Sequence, residues 1–208
     1  GNRMNIENDT VEIKSGVRHG KTTGAPICIE IKNKDFSNWE NVMATQEFEY
    51  PTEQMIKDIE ERTFTKARPG HADYTFAAKF GPDNRDYRGG GRSSGRETIA
   101  RVIAGAIAAK VLKSLGITAF AYTKSIGPVT IQNFNKPERE NALLMPDTEA
   151  SKKAEEYLNE LMANQDSSGG VIECVIDGVK CGLGNPVFDK LDARLAAAVM
   201  SIGAVKGF

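Results

Sequence analysis

No stretch of this sequence approaches the ~20 consecutive apolar residues that a membrane-spanning helix needs, so the chain is read as having no membrane partner. Cysteine is scarce: Cys28, Cys174 and Cys181 are an odd number and lack metal-ligand spacing. That speaks against a disulfide framework and a zinc site, and for reduced thiols in a cytoplasmic setting. No metal site is expected. An excess of either charge is also missing, with 27 Lys and Arg against 28 Asp and Glu. A near-neutral total argues against general nucleic-acid binding. No signal or transit segment is visible. What remains is an ordinary soluble composition, 40% apolar over 208 residues, enough for one sizeable core or two lobes.

Positive charge is unevenly placed. From Lys66 to Arg101 there are eight Lys or Arg against four Asp or Glu. The same stretch holds Arg68-Pro69-Gly70-His71-Ala72-Asp73 and then Arg85-Asp86-Tyr87-Arg88-Gly89-Gly90-Gly91-Arg92-Ser93-Ser94-Gly95-Arg96-Glu97-Thr98. Three successive glycines let the backbone take positive φ and come close to a ligand. Successive N–H groups in such turns form anion-holding concavities. Ser94 fits a helix N-cap, with Glu97 completing a capping box. A glycine loop before a helix start, with arginines around it, suits a phosphate. The bland alternative is a glycine turn that merely caps a buried helix. A Walker-type loop is excluded, because no Gly-Lys-Ser/Thr ending follows. An RNA-binding tract at Arg88–Arg92 ranks lower, since such tracts repeat and interleave aromatics.

Elsewhere the pattern predicts mixed α and β structure. Ile27, Ile29 and Ile31 alternate with polar neighbours, as in a strand with one buried face. Residues 33–67 read as a polar surface excursion carrying a short helix at 52–62, with Met55, Ile56 and Ile59 on one side. A helix from Ser94 to Leu115 has its apolar stripe at Ile99, Val102, Ile103, Ala106, Ile107 and Val111, and Gly116 closes it. Its other positions are small, which predicts burial on most sides. Residues 117–131 read as strand broken at Gly127-Pro128, and 148–162 as an amphipathic helix with Ala154, Tyr157, Leu158 and Leu161 inward. Residues 171–176 read as strand, and Asp177-Gly178 is a hairpin signal. Asn185 and Pro186 read as a helix start with Phe188, Leu191, Leu195 and Val199 on one face. Asp189 and Asp192 are placed in or near that helix's first turn, favouring the dipole.

Five segments together resemble the signature regions of the chorismate synthases. They are Val11–Thr22, Arg68–Asp73, Arg85–Thr98, Gly182–Ala193 (Gly-Leu-Gly-Asn-Pro-Val-Phe-Asp-Lys-Leu-Asp-Ala) and Met200–Phe208. They occur in the family's order with plausible spacing and span nearly the whole chain. Family members are longer at both ends, so the resemblance implies a single core domain over 1–208, incomplete at each end. The missing front would carry a Gly-Glu-Ser-His-Gly motif, and the missing back much of a flavin site. Two departures are local: Gly95 stands where alanine is commonest, and Gly81–Asn84 is a longer loop.

The resemblance implies an α/β (α+β) sandwich with central helices packed between antiparallel β-sheets. It implies a lyase that converts 5-enolpyruvylshikimate 3-phosphate to chorismate and phosphate by 1,4-elimination, with reduced FMN (FMNH2) as cofactor, in the shikimate pathway. It also implies a homotetramer. Residue by residue, His71 matches a catalytic histidine near flavin and substrate. Arg68 and Arg96 match substrate-binding arginines. Arg92, Ser93 and Ser94 match a cofactor-binding segment. Asp73, Asp86 and Glu97 are read as orienting arginines, not as bases. Residues 1–24 read as a strand and then a loop, in which Arg3, Arg18, Lys21 and Thr22 are weaker anion-facing candidates and His19 is not expected to be catalytic. Shorn of its ends, the chain is expected to be impaired. The alternative is a non-catalytic phosphate- or nucleotide-binding module that keeps the fold.

Overall fold

The computed structural model describes residues 10–208, apart from the side chains of residues 34 and 35. Two compact units follow one another, the first ending at Glu97 and the second starting at Thr98. In the first, strands Val11–Ser15 (β1) and Cys28–Ile31 (β4) pair antiparallel. The expected alternation holds: Ile29 and Ile31 are half-buried while Cys28 and Glu30 are exposed. Between them, Val17–Arg18 (β2) and Lys21–Thr22 (β3) form a tiny hairpin. Its turn is His19-Gly20, both with positive φ (48° and 74°), as a two-residue turn matched to strand twist requires. His19 is thus spent on a turn, and Arg18, Lys21 and Thr22 stand exposed beside it. Arg3 lies outside the described residues.

Glu53–Arg62 forms the predicted helix (α1), and Thr52 caps it by accepting a hydrogen bond from the Met55 N–H at 3.3 Å. Met55 and Ile59 are half-buried and Ile56 is exposed. A second helix, Asp73–Phe80 (α2), had no counterpart in the sequence reading. It is two turns long, and its signals are end signals: an acidic first residue, favoured at the positive pole, and Gly81 at its end with φ 94°.

The second unit opens with Thr98–Ser114 (α3). The predicted start at Ser94 is four residues too early. Two single 3-10 turns, Gly91–Ser93 and Gly95–Glu97, precede the helix. A glycine in each turn disfavours regular α-helix there. Ser94 Oγ accepts from the Arg96 N–H, not from residue 97 as a capping box demands. Gly116, at φ 78°, ends the helix as expected. Burial on most sides is not observed. Ile99, Ile103, Ile107 and Leu112 are half-buried, but Val102 is 66% exposed and Leu115 63%. Small residues allow close approach without causing it. Arg101 ties this helix to the chain's far end, donating from Nη2 to the Ser201 carbonyl at 2.7 Å.

The sheet of this unit has the order β6-β5-β7, with Thr118–Ile126 (β5) central between Val129–Thr130 (β6) and Gly170–Asp177 (β7). The break at Gly127-Pro128 is the β5–β6 turn. Among the described residues every strand pairing is antiparallel. Asp177-Gly178 ends β7 but makes no hairpin, because no strand follows it. The helix Thr148–Ala163 (α4) places Ala154 fully inside and Tyr157, Leu158 and Leu161 half-buried, as its periodicity predicts. Met145, Ala150 and Ala154 form the small core of this unit, with Ile126, Val129, Ile131 and Leu143 against them. The last helix, Leu191–Met200 (α5), starts five residues later than the Asn185-Pro186 reading. A residue before proline is pushed toward extended geometry. Asn185 and Asp189 instead exchange backbone hydrogen bonds (2.8 and 3.0 Å) across a tight loop. Phe188 therefore projects to solvent at 91% exposure. Asp192 is in the first turn as expected; Asp189 precedes the helix and pairs with Arg194 at 3.0 Å.

Asp147 is buried and holds three backbone donors: Ala150 N–H on one oxygen (3.0 Å), Gln132 and Asn133 N–H on the other (2.9 and 3.0 Å). The Ala150 bond leads these donors in holding its carboxyl down to about 2. A depressed carboxylate contributes stability that is whole above its unfolded value and fades as pH falls through the folded one. Asp147→Asn should therefore cost roughly 2–3 kcal/mol at neutral pH, read as a lower denaturant midpoint. The gap between the two proteins should shrink between about pH 4 and pH 2. Equal midpoints at pH 7 would contradict this account.

Candidate functional site

The site is built in the first unit by one tight turn and one glycine loop. Arg68-Pro69-Gly70-His71 is a β-turn with proline second and glycine third, and Gly70 has φ 68°. Its closing bond runs from the His71 N–H to the Arg68 carbonyl at 3.4 Å. That is the type II pattern, and it brings the side chains of residues 68 and 71 together. Arg68 Nη2 lies 3.3 Å from both ring nitrogens of His71. A point that far from both cannot lie in the ring plane without meeting the carbon between them. The guanidinium therefore sits over the imidazole face.

Asp73, the first residue of α2, is the centre of the cluster, and its side chain is only 3% exposed. It accepts from Arg68 Nε at 2.8 Å, from Arg68 Nη2 at 3.1 Å and from the Arg68 backbone N–H at 3.1 Å. His71 Nδ1 is 2.8 Å from its Oδ1. Arg85 Nη1 stands 3.5 Å from the same oxygen. The Arg68 hydrogen bonds, ahead of every other cause, hold the Asp73 carboxyl well below the usual carboxylate range. Reciprocally, Asp73 pushes the Arg68 guanidinium up. Asp73 thus orients an arginine, as expected, and a histidine besides. Arg68 Nη1 takes no part in that pairing.

The glycine loop lies directly on this pair. Asp86 shapes it, accepting from the Arg88 N–H through Oδ1 and from the Gly89 N–H through its carbonyl, both at 2.9 Å. Gly89 has φ 71°. A Cβ there would fall 2.1 Å from Arg68 Nη2, 2.7 Å from His71 Cε1 and 2.9 Å from His71 Nε2. Only glycine lets the loop backbone rest against the imidazole edge. Further on, Ser93 Oγ donates to the Gly90 carbonyl at 2.8 Å, and Ser94 Oγ accepts from the Arg96 N–H at 3.2 Å. Arg92 is exposed, and Arg96 is half-buried on the second 3-10 turn. The structure therefore brings Arg68 and His71 into contact and sets Arg92, Ser93 and Ser94 on the loop that covers them.

Arg85 escaped the sequence reading as a site residue. Its side chain is 4% exposed, it donates to the Phe64 carbonyl, and its Nη1 has no hydrogen-bond partner. Nothing in the sequence separates it from Arg88, which lies over the Phe36 ring at 5.5 Å. Among the described residues no group of His, Cys, Asp and Glu has the arrangement of a metal site. No helix among them is long and apolar enough to cross a membrane.

The comparisons agree with the signature segments. A family model described as chorismate synthase matches residues 1–208. A chorismate synthase of Lachnoclostridium phytofermentans is 56% identical over 206 residues, covering 97% of this chain and 50% of that relative. One from Agathobacter rectalis is 55% identical over 205 residues, with the same 97% and 50% coverage. A solved structure described as a crystal structure of chorismate synthase superposes with a TM-score of 0.68 at 31% identity. It covers 96% of this chain and 54% of that one. The chain spans about half the length of the curated relatives it matches.

Gly89→Ala and Gly70→Ala separate loop strain from contact. Both positions have positive φ, but an added Cβ at Gly70 meets nothing within 4 Å. Each should lose roughly 1 kcal/mol to backbone strain. Gly89→Ala should lose clearly more, and should shift the His71 ring proton resonances as the imidazole is displaced. Equal melting temperatures with an unmoved His71 signal would contradict the contact.

Proposed function

The chain belongs to the chorismate synthase family, and from that premise we propose that it carries part of the active site for converting 5-enolpyruvylshikimate 3-phosphate to chorismate and phosphate. The observation that carries the reading is the Arg68–His71 pair held under the glycine loop. The substrate has two carboxylates and a phosphate. Arg68, with Nη1 outside its pairing, and Arg96 supply planar forks suited to such groups. Bound between them, the substrate is oriented before reaction begins.

The cofactor in this reading is reduced FMN, and the donor set fits it. Exposed Arg92 offers charge to a phosphate or an electron-rich ring, and the Ser94 hydroxyl, which accepts from the Arg96 N–H, can still donate. The Ser93 hydroxyl and both serine N–H groups are spent inside the loop and shape it. When bound, the flavin supplies electron density for breaking the carbon–oxygen bond. The protein's own work is placement and proton handling. With Asp73 beside Nδ1, His71 holds or passes a proton at Nε2, next to Gly89. A histidine suits either task near neutral pH. Three free, exposed cysteines support a reducing cytoplasmic setting. A homotetramer belongs to the same proposal; exposed apolar residues such as Val102 and Ile172 are surface that more chain or a neighbouring subunit would cover.

The test is anaerobic turnover with reduced FMN and 5-enolpyruvylshikimate 3-phosphate, followed by chorismate absorbance. It compares this chain with the protein extended to the length of its relatives. Chorismate is expected from the extended protein. His71→Ala in it should lower turnover roughly 10²–10⁴-fold with native-like circular dichroism. Arg96→Ala should weaken substrate more than flavin; equal losses would mean a collapsed loop. No chorismate from either length would favour a binding module.

A further inference from the structure

Asp73 does more than hold an arginine. Its Oδ1 lies 2.8 Å from His71 Nδ1. An ionised carboxylate only accepts hydrogen bonds, so the ring nitrogen facing it at that distance carries a hydrogen. A neutral imidazole has one N–H, so Nε2 is then the basic nitrogen. The carboxylate is itself fixed on its other sides. Arg68 grips it through Nε, Nη2 and the backbone N–H. Arg85 stands behind it with Nη1 at 3.5 Å, and the Phe64 carbonyl anchors the same guanidinium. Nη1 of Arg85 is buried without a hydrogen-bond partner, and among the described residues Asp73 is the carboxylate it pairs with, at 3.5 Å.

We propose that Arg85 and Asp73 are positioning residues that set the proton of His71 on Nδ1 and hold Nε2 toward the glycine loop as the working nitrogen. The consequence for chemistry rests on the reading that His71 handles a proton in chorismate formation; the tautomer does not. Arg85 acts through Asp73, and Asp73 acts through His71 and Arg68. Neither touches substrate in this account. The arrangement parallels a general rule for functional histidines, in which a carboxylate on one nitrogen decides what the other can do.

The test is a two-bond proton–nitrogen NMR spectrum of the protein labelled with nitrogen-15 at histidine, recorded at alkaline pH. With only two histidines, His19→Gln assigns the His71 signals. The wild type should show the Nδ1–H tautomer at His71; a dominant Nε2–H tautomer overturns the proposal. Asp73→Asn and Arg85→Gln should each reduce the Nδ1–H population, and Arg85→Lys should recover part of it. In the extended protein the same variants should lower kcat roughly 10–100-fold. An unmoved tautomer in Asp73→Asn overturns the proposal whatever the activity does. A moved tautomer with unchanged kcat upholds the positioning and overturns the chemical role of His71. If Asp73→Asn does not fold, the wild-type spectrum and the two Arg85 variants decide.

Discussion

One buried carboxylate holds the candidate site together. Asp73 is inaccessible to water on nearly every side, and a lone charge in that position would be costly. It persists because Arg68, His71 and Arg85 converge on it, with a backbone N–H added. Arginine suits this place because its fork satisfies both carboxylate oxygens at once. Removing one partner would leave uncompensated charge inside, so the cluster's members depend on one another strongly. The low Asp73 carboxyl is the expression of that dependence.

The glycine loop is the second constraint, and it acts by lacking atoms. Gly89 occupies space that no side chain could share with Arg68 and His71. Asp86 turns the chain at that point, so the loop's shape is set by short-range bonds. Backbone, guanidinium and imidazole are thereby stacked within contact distance. In the proposed function a small anionic substrate and a flavin would meet this edge; the arginines on the loop bias it electrostatically toward negative charge.

Much of this was legible in sequence. The Ile29 and Ile31 alternation, the α1 and α4 stripes and the Gly127-Pro128 break all follow from periodicity and turn chemistry. Arg68 and His71 stood out through the family resemblance, in separate roles; their contact was not read from the sequence, although the Pro-Gly turn that returns the chain upon itself is its cause. Misreadings arose where a local signal had more than one outcome. Ser94 and Asn185 look like caps, yet adjoining Gly95 and Pro186 favour tighter turns, and both helices start later. Asp177-Gly178 ends a strand without starting another. The small residues of α3 suggested enclosure, but Val102 and Leu115 remain open. Arg85 was invisible because burial depends on what folds over it, and Phe64 lies 21 positions away.

The Asp73 cluster makes the central claim measurable in a single titration. The carbon-13 shift of the Asp73 side-chain carboxyl can be followed as pH falls from neutral, while the fold persists. The cluster predicts no protonation step near the ordinary aspartate value of 3.8, with the shift still that of a carboxylate below pH of about 3. A clean inflection near 3.8 would mean that Arg68, His71 and Arg85 do not converge on this carboxylate in solution.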